Sequence, residues 1–402
     1  MNNTFQLRNY FKNIDSIIYF FLISFFFLTF INRDFANVCL ILVLLLSIIQ
    51  LKVDDLKLIK YPIFFIIIFF LSLFLNFQSL HTELQEYDNY FRLILCLPIF
   101  FYFMKNKINY LFCSHFLIAC STGIILKFII ATDASMYADR YLGSSSSAIT
   151  YANMIMTVII VLIYFTLANR ISRIKNSLLI LFSLVILLYI WSLTLTRGSI
   201  IGLLLASLLI IYFIKENRVF VFSGFVSLIL AVYFSPVGER IDNFFINLNS
   251  INFSEVENST IENRSLNQRF AYTTFAIEKI IENPLSGIGA SNVENTMTHN
   301  FRVERGILVG VSDHVHNEYL DIALKFGVIS LILYFIIWFS IFLDFVRSEK
   351  NFHSYMLIMV VISHMGYMLT QSIFAHHQAS VFFIILIYVL LPHLYQIDRK
   401  TL

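Results

Sequence analysis

Apolar runs of bilayer-crossing length follow one another along this chain, broken only by short polar stretches and one long polar interval, residues 236–316. A span needs roughly 20 apolar residues. On that measure the chain predicts about twelve helices, near 15–31, 35–51, 61–77, 89–104, 109–131, 149–168, 176–195, 198–214, 219–235, 317–345, 354–374 and 379–396. The runs are continuous, whereas a membrane barrel alternates apolar and polar positions in segments of about ten residues. Only helices and closed barrels satisfy the backbone within a bilayer. The expected fold class is therefore an all-α polytopic membrane protein, with transmembrane helices in 1–235, a loop in 236–316 and further transmembrane helices in 317–402.

The long loop is not uniform. Residues 236–268 are rich in Asn, Ser and Glu and weakly patterned; the Asn-x-Ser/Thr triplets at Asn252, Asn258 and Asn263 are read as chance polar composition. From Arg269 onward Phe270, Phe275, Ala276, Ile277, Ile280 and Ile281 recur at helical spacing, with Glu278, Lys279 and Glu282 between them. Asn283-Pro284 ends that helix, because proline disfavours helical geometry in the residue before it. A small-residue turn, Ser286-Gly287-Ile288-Gly289-Ala290, follows. The loop is expected to hold one amphipathic helix, with Arg269 at its N-terminus, able to lie along the membrane face.

Composition narrows the picture further. Apolar residues make up 58% and charged residues 13%, against roughly half and a quarter in soluble domains. An ordinary soluble domain is excluded. The net charge of +3 is too small to argue for a nucleic-acid partner. Cys39, Cys96, Cys113 and Cys120 all fall within apolar segments, so packing is expected of them rather than disulfides or thiolate metal sites. Lys and Arg in alternate short loops number sixteen on one side against five on the other. By the positive-inside rule both termini are expected in the cytoplasm and the 236–316 loop outside. Arg8 and Lys12 precede the first span without a small-residue cleavage site, which predicts a start-transfer helix.

Few residues in such a chain can carry chemistry. Arg197 closes the run Trp191-Ser192-Leu193-Thr194-Leu195-Thr196 and is followed by Gly198, where another backbone or a ligand can approach closely. A guanidinium near lipid is costly and usually faces a bundle interior or polar cavity; the plainer alternative is an arginine snorkelling to headgroups. Arg269, with Gln268 beside it, presents a bidentate fork suited to a diphosphate; a surface salt bridge to Glu262 or Glu278 is its plainer alternative. His316 follows Ser312-Asp313-His314-Val315, read as a helix cap, and imidazole can take a proton from an attacking hydroxyl near neutral pH. An interfacial histidine without chemistry is the alternative there. Asn317 can orient a sugar or the imidazole, and Asp321 and Lys325 are spaced to pair along a helix. Asp313, His314, His316, His376 and His377 could also be read as a metal site, but no HExxH or Cys pair supports it and no metal is expected. Arg140 (after Asp139), Asn153, Gln371 and Gln378 are polar positions that either line a substrate path or bond between helices.

Three blocks in this order carry a resemblance. Thr194-Leu195-Thr196-Arg197-Gly198-Ser199 resembles a Ser/Thr-Arg-Gly stretch at a helix end; Arg269 through Asn283-Pro284-Leu285-Ser286-Gly287-Ile288-Gly289 resembles a loop helix and its Asn-Pro-x-x-Gly-x-Gly turn; and His316-Asn317 with Gly327 resembles a His-[Asn/Ser/Gln]-x9-Gly signature. Together they are similar to the O-antigen ligase and polymerase superfamily of bacterial envelope glycosyltransferases. Ser330 stands where that family favours a small residue or tyrosine, a mild departure.

The resemblance implies glycan transfer from undecaprenyl diphosphate at the periplasmic face of the inner membrane, independent of metal and needing no cofactor. The acceptor would be a sugar hydroxyl of lipid A–core. Arg197 and Arg269 would hold the diphosphate, His316 would be the base, and Asn317, Gln268, Gly198, Gly287, Gly289 and Arg140 would contact substrate. A polymerase extending lipid-linked repeat units shares donor and motif. A protein oligosaccharyltransferase is expected to carry a large soluble extension after the last span. A lipid-linked glycan flippase or transporter would not need a histidine at the exit of a long loop.

Overall fold

The computed structural model describes residues 2–52, 60–74, 80–106, 108, 111–130, 136–137, 140–145, 147–168, 174–213, 222, 226, 233, 261–304 and 312–395. The expected span at 219–235, apart from residues 222, 226 and 233, and the loop's first part at 236–260 lie outside the described residues, as does Asp139. The described chain is almost wholly helical. Its helices are α1 (Asn2–Thr29), α2 (Arg33–Ile49), α3 (Tyr61–Phe74), α4 (Leu80–Leu95), α5 (Leu97–Lys105), α6 (Leu111–Ile129), α7 (Ala148–Ala168), α8 (Ile174–Ser192) and α9 (Ser199–Phe213). After these come α10 (Ile261–Glu282), α11 (Val293–Thr298), α12 (Glu318–Arg347), α13 (Phe352–Met368) and α14 (His377–Leu390). A two-residue ladder pairs Met136 with Tyr141 and Tyr137 with Arg140.

Among the described residues four helices are long and apolar enough to cross a membrane: Leu111–Ile129, Ala148–Ala168, Glu318–Arg347 and His377–Leu394. Shorter apolar helices occupy Ile14–Thr29, Pro62–Leu73, Ile180–Ser192, Ser199–Phe213 and Phe352–Met368. Helices α7 and α14 are buried along most of their length and form the middle of the bundle. Around them, α1, α2, α6, α8, α9 and α12 expose large apolar side chains such as Phe20, Ile41, Ile118, Phe182, Leu208 and Phe339. Water would punish such a surface; lipid does not. This is a helical membrane protein.

Two elements differ from the sequence pattern. The single span expected at 89–104 is two helices, α4 and α5, joined at Cys96. Pro98 sits at the start of α5, where its missing N–H and its ring stop the preceding helix from running through. The loop helix begins at Ile261, not at Arg269. Residues 261–268 are mostly polar, so they give no apolar repeat from which a helix is read.

The loop builds a small core of its own. Ala271, Tyr272, Phe275 and Ala276 of α10 pack with Val293, Met297, Phe301, Val315 and Leu324, apart from the main bundle core. The opposite face of α10 exposes Phe270, Ile277 and Ile281, so the helix has one apolar face inward and a second outward.

The candidate active site

A break in α12 joins the small core to the bundle. Gly327 leaves helical geometry at φ 86°, a conformation that glycine alone adopts at no steric cost. The break withdraws backbone groups from the helical ladder, and the turn after α10 takes them up. Ile288 N–H donates to the Leu324 carbonyl at 2.8 Å, Gly289 N–H to the Lys325 carbonyl at 3.2 Å, and Val328 N–H to the Pro284 carbonyl at 2.8 Å. The fit is tight: a Cβ on Gly327 would lie 2.0 Å from the Leu285 carbonyl oxygen, and one on Gly287 2.5 Å from that of Leu324. Gly287 and Gly289 are thus placed at the seat that fixes α10 on α12.

That seat fixes the segment before α12. Asn317 is the N-cap, its side-chain oxygen accepting from Tyr319 N–H at 3.0 Å and Leu320 N–H at 3.1 Å, while its amide donates to the Leu369 carbonyl at 3.2 Å. The cap is therefore Asn317 rather than the expected Ser312-Asp313 stretch. Asp321 pairs with Lys325 at 3.0 Å, both side chains almost fully buried, as their spacing predicts. The other Asp321 oxygen accepts from Val315 N–H at 3.2 Å. Between Val315 and Asn317, His316 turns through φ 56°, a left-handed conformation uncommon outside glycine, though histidine is among the residues enriched there.

The His316 ring is held on several sides. Tyr272 of α10 stacks on it with centroids 5.9 Å apart and planes at 24°. Gln268 donates to the Tyr272 hydroxyl at 2.6 Å. His314 meets its edge at 4.6 Å and also faces His376 at 5.6 Å. Gln371, in the connection between α13 and α14, places Oε1 3.2 Å from His316 Nδ1 and its amide nitrogen against His376 Nε2. His314 Nδ1 lies 2.7 Å from Asp313 Oδ1.

Arg269 lies inside α10, not at its N-terminus as the sequence pattern predicts. It is close enough for its charge to act on His316. Burial, then the charges of His314 and Arg269, hold the His316 pKa down to about 3, against a smaller opposing effect of the Gln371 bond. Burial likewise lowers His376 to about 4. The His314 hydrogen bond keeps the Asp313 carboxyl well below the usual carboxylate range. His316 is therefore neutral at pH 7, with a lone pair to offer.

The turn that carries Arg197 meets the same connection along another path. The turn between α8 and α9 passes through Leu195 at φ 51°, and Trp191 Nε1 closes it by donating to Ser199 Oγ at 2.8 Å. Arg140 braces the turn, donating to the Thr194 carbonyl and to Thr196 Oγ1, each at 3.0 Å. Gly198 lies against the Thr370 side chain, next to Gln371, so the Arg197 turn and His316 meet on one connection. Among the described residues no group of three or more His, Cys, Asp or Glu side chains is set to hold a metal ion.

Two residues of this assembly carried no marked signal in the sequence. Glu318 is fully buried, accepting from Tyr90 Oη at 2.9 Å and from Phe374 N–H at 3.0 Å. Its partners are far away along the chain, and nothing in the local pattern announces them. Gln371 stood out only as one polar group among several.

Fold and site together define a helical membrane protein with a cluster of imidazoles where α10 meets the bundle. Residues 182–335 match the model of the family described as O-Antigen ligase. The match covers the Arg197 turn, α10, the glycine turn, His316 and the break in α12. None of the curated proteins matches the chain. The family match supports a function of the O-antigen ligase or polymerase type.

Proposed function

We propose that this protein is an O-antigen ligase, transferring a glycan from undecaprenyl diphosphate to a sugar hydroxyl of lipid A–core. In this reading the loop and its site face the periplasm from the inner membrane, with both chain termini cytoplasmic. The acceptor oxygen attacks the anomeric carbon and its proton passes to His316. The bond from that carbon to the diphosphate oxygen breaks, and undecaprenyl diphosphate leaves with the electron pair. Arg269 and Arg197 offset the charge that develops on the leaving group.

One observation carries the reading: Arg269 acts electrostatically on the same neutral imidazole that the connection beside the Arg197 turn holds. The low pKa of His316 also has a use. A diphosphate bound beside Arg269 brings negative charge to the imidazole, which raises its proton affinity when the donor is in place. Gln268 and Arg140 support this site through Tyr272 and the Arg197 turn, Gly198 makes room for Thr370, and Asn317, Gly287 and Gly289 hold the backbone.

A strain lacking the gene separates ligase from polymerase. Loss of a ligase leaves polymer on the lipid carrier and none on lipid A–core, whereas loss of a polymerase leaves a single repeat unit on the core. Gel separation of the extracted lipopolysaccharide is expected to show the first pattern; a core bearing one repeat would refute the ligase assignment.

A further inference from the structure

We propose that Gln371 is the positioning residue that sets the tautomer of His316, holding the proton on Nδ1 and leaving the Nε2 lone pair for the acceptor hydroxyl. The inference rests on the reading of His316 as base.

Gln371 is 1% exposed, and both ends of its amide are engaged. Its nitrogen donates to His376 Nε2, which must then be the unprotonated nitrogen of that ring. With the nitrogen so engaged, the carbonyl oxygen faces His316 Nδ1 at 3.2 Å. A carbonyl only accepts, so Nδ1 carries the hydrogen. Among the described residues His316 Nε2 has no hydrogen-bond partner, and it is not one of the buried unsatisfied atoms. It is therefore the nitrogen open to a substrate. Tyr272 on the ring face and His314 on its edge stop the ring from turning over. The arrangement does for this imidazole what an orienting acceptor does in other acid–base pairs: it selects the tautomer and aims the lone pair. After proton uptake both ring nitrogens donate, and the Gln371 oxygen still accepts from Nδ1.

The ionisable groups facing His316 are Arg269 and Tyr272 from α10, Asp313 and His314 from its own segment, and His376 from the start of α14. Gln371 itself is neutral, so Gln371→Glu changes the charge at Nδ1 while keeping an acceptor oxygen, and Gln371→Leu removes the acceptor. Transfer by the purified full-length protein is measured with an undecaprenyl-diphosphate-linked oligosaccharide and lipid A–core, across pH. Gln371→Leu is expected to lower kcat by about 10²-fold, the scale of an acid–base contribution, with KM within about threefold of wild type. Gln371→Glu is expected to recover most of kcat and to move the acid limb of the profile upward by about 1–3 pH units, as a new carboxylate beside an imidazole does. A wild-type kcat in folded Gln371→Leu overturns the inference. So does a Gln371→Glu profile with an unmoved acid limb, which decides the matter even if the leucine variant does not fold. Full activity in His316→Asn would instead sink the base assignment itself, independently of Gln371.

Discussion

His316 combines a left-handed backbone, a stacked ring and a depressed pKa of about 3. Each has a consequence for substitution. Alanine at φ 56° costs about 1 kcal/mol in backbone energy, whereas asparagine tolerates the conformation, so His316→Asn separates chemistry from folding. The pKa fixes a sign as well. Both His316 and His376 titrate below the ordinary histidine value in the folded protein, at about 3 and about 4, so the unfolded chain takes up protons first as pH falls. Their contribution to stability is complete above about pH 6.5 and is lost progressively down to about pH 3. The thermal midpoint in detergent is expected to fall between pH 7 and pH 4, less steeply in His316→Asn. An equal slope in the two proteins would contradict the burial argument.

At the scale of elements, the decisive feature is the junction of the turn at 283–289 with the break at Gly327. Gly327→Ala places a methyl group 2.0 Å from the Leu285 oxygen at a φ of 86°. The expected result is loss of the folded, monodisperse protein in size-exclusion chromatography, or a much lower thermal midpoint; unchanged stability would contradict the junction. The sequence pattern exposes this region unevenly. Asn283-Pro284 marks the end of α10 because a proline effect is local. The start of α10 escapes because a polar helix has no apolar repeat. The break at Gly327 shows only as a glycine in an apolar run, since its meaning lies in hydrogen bonds to a turn some forty positions away. The pair Asp321 and Lys325 is readable because both partners lie on one helix, while Glu318 with Tyr90 is not, because they lie on different ones.

Across the whole molecule, buried polar links tie the site to the bundle. Glu318 joins α4, α12 and the connection before α14 through Tyr90 and Phe374. Arg92 on α4 donates to the Phe374 carbonyl at 3.4 Å, fastening the same connection, and to Ser380 of α14 at 2.9 Å, and it pairs with Asp88 at 3.0 Å. Glu318→Ala leaves two buried donors without an acceptor, each costing about 1–3 kcal/mol. It is expected to lower the thermal midpoint more than Tyr90→Phe, which removes a donor and leaves the carboxyl group its Phe374 bond. Equal effects would argue against Glu318 as the link. The apolar runs alone make most spans legible, but not how the site is put together, because its residues come from the α8–α9 turn, α10, the segment before α12 and the α13–α14 connection. The most direct test of the account is transfer from the lipid-linked donor to lipid A–core by membranes carrying full-length His316→Asn. The account expects at least about 10²-fold less product than wild type from a variant equally inserted and equally stable at pH 7; wild-type transfer by that variant would contradict it.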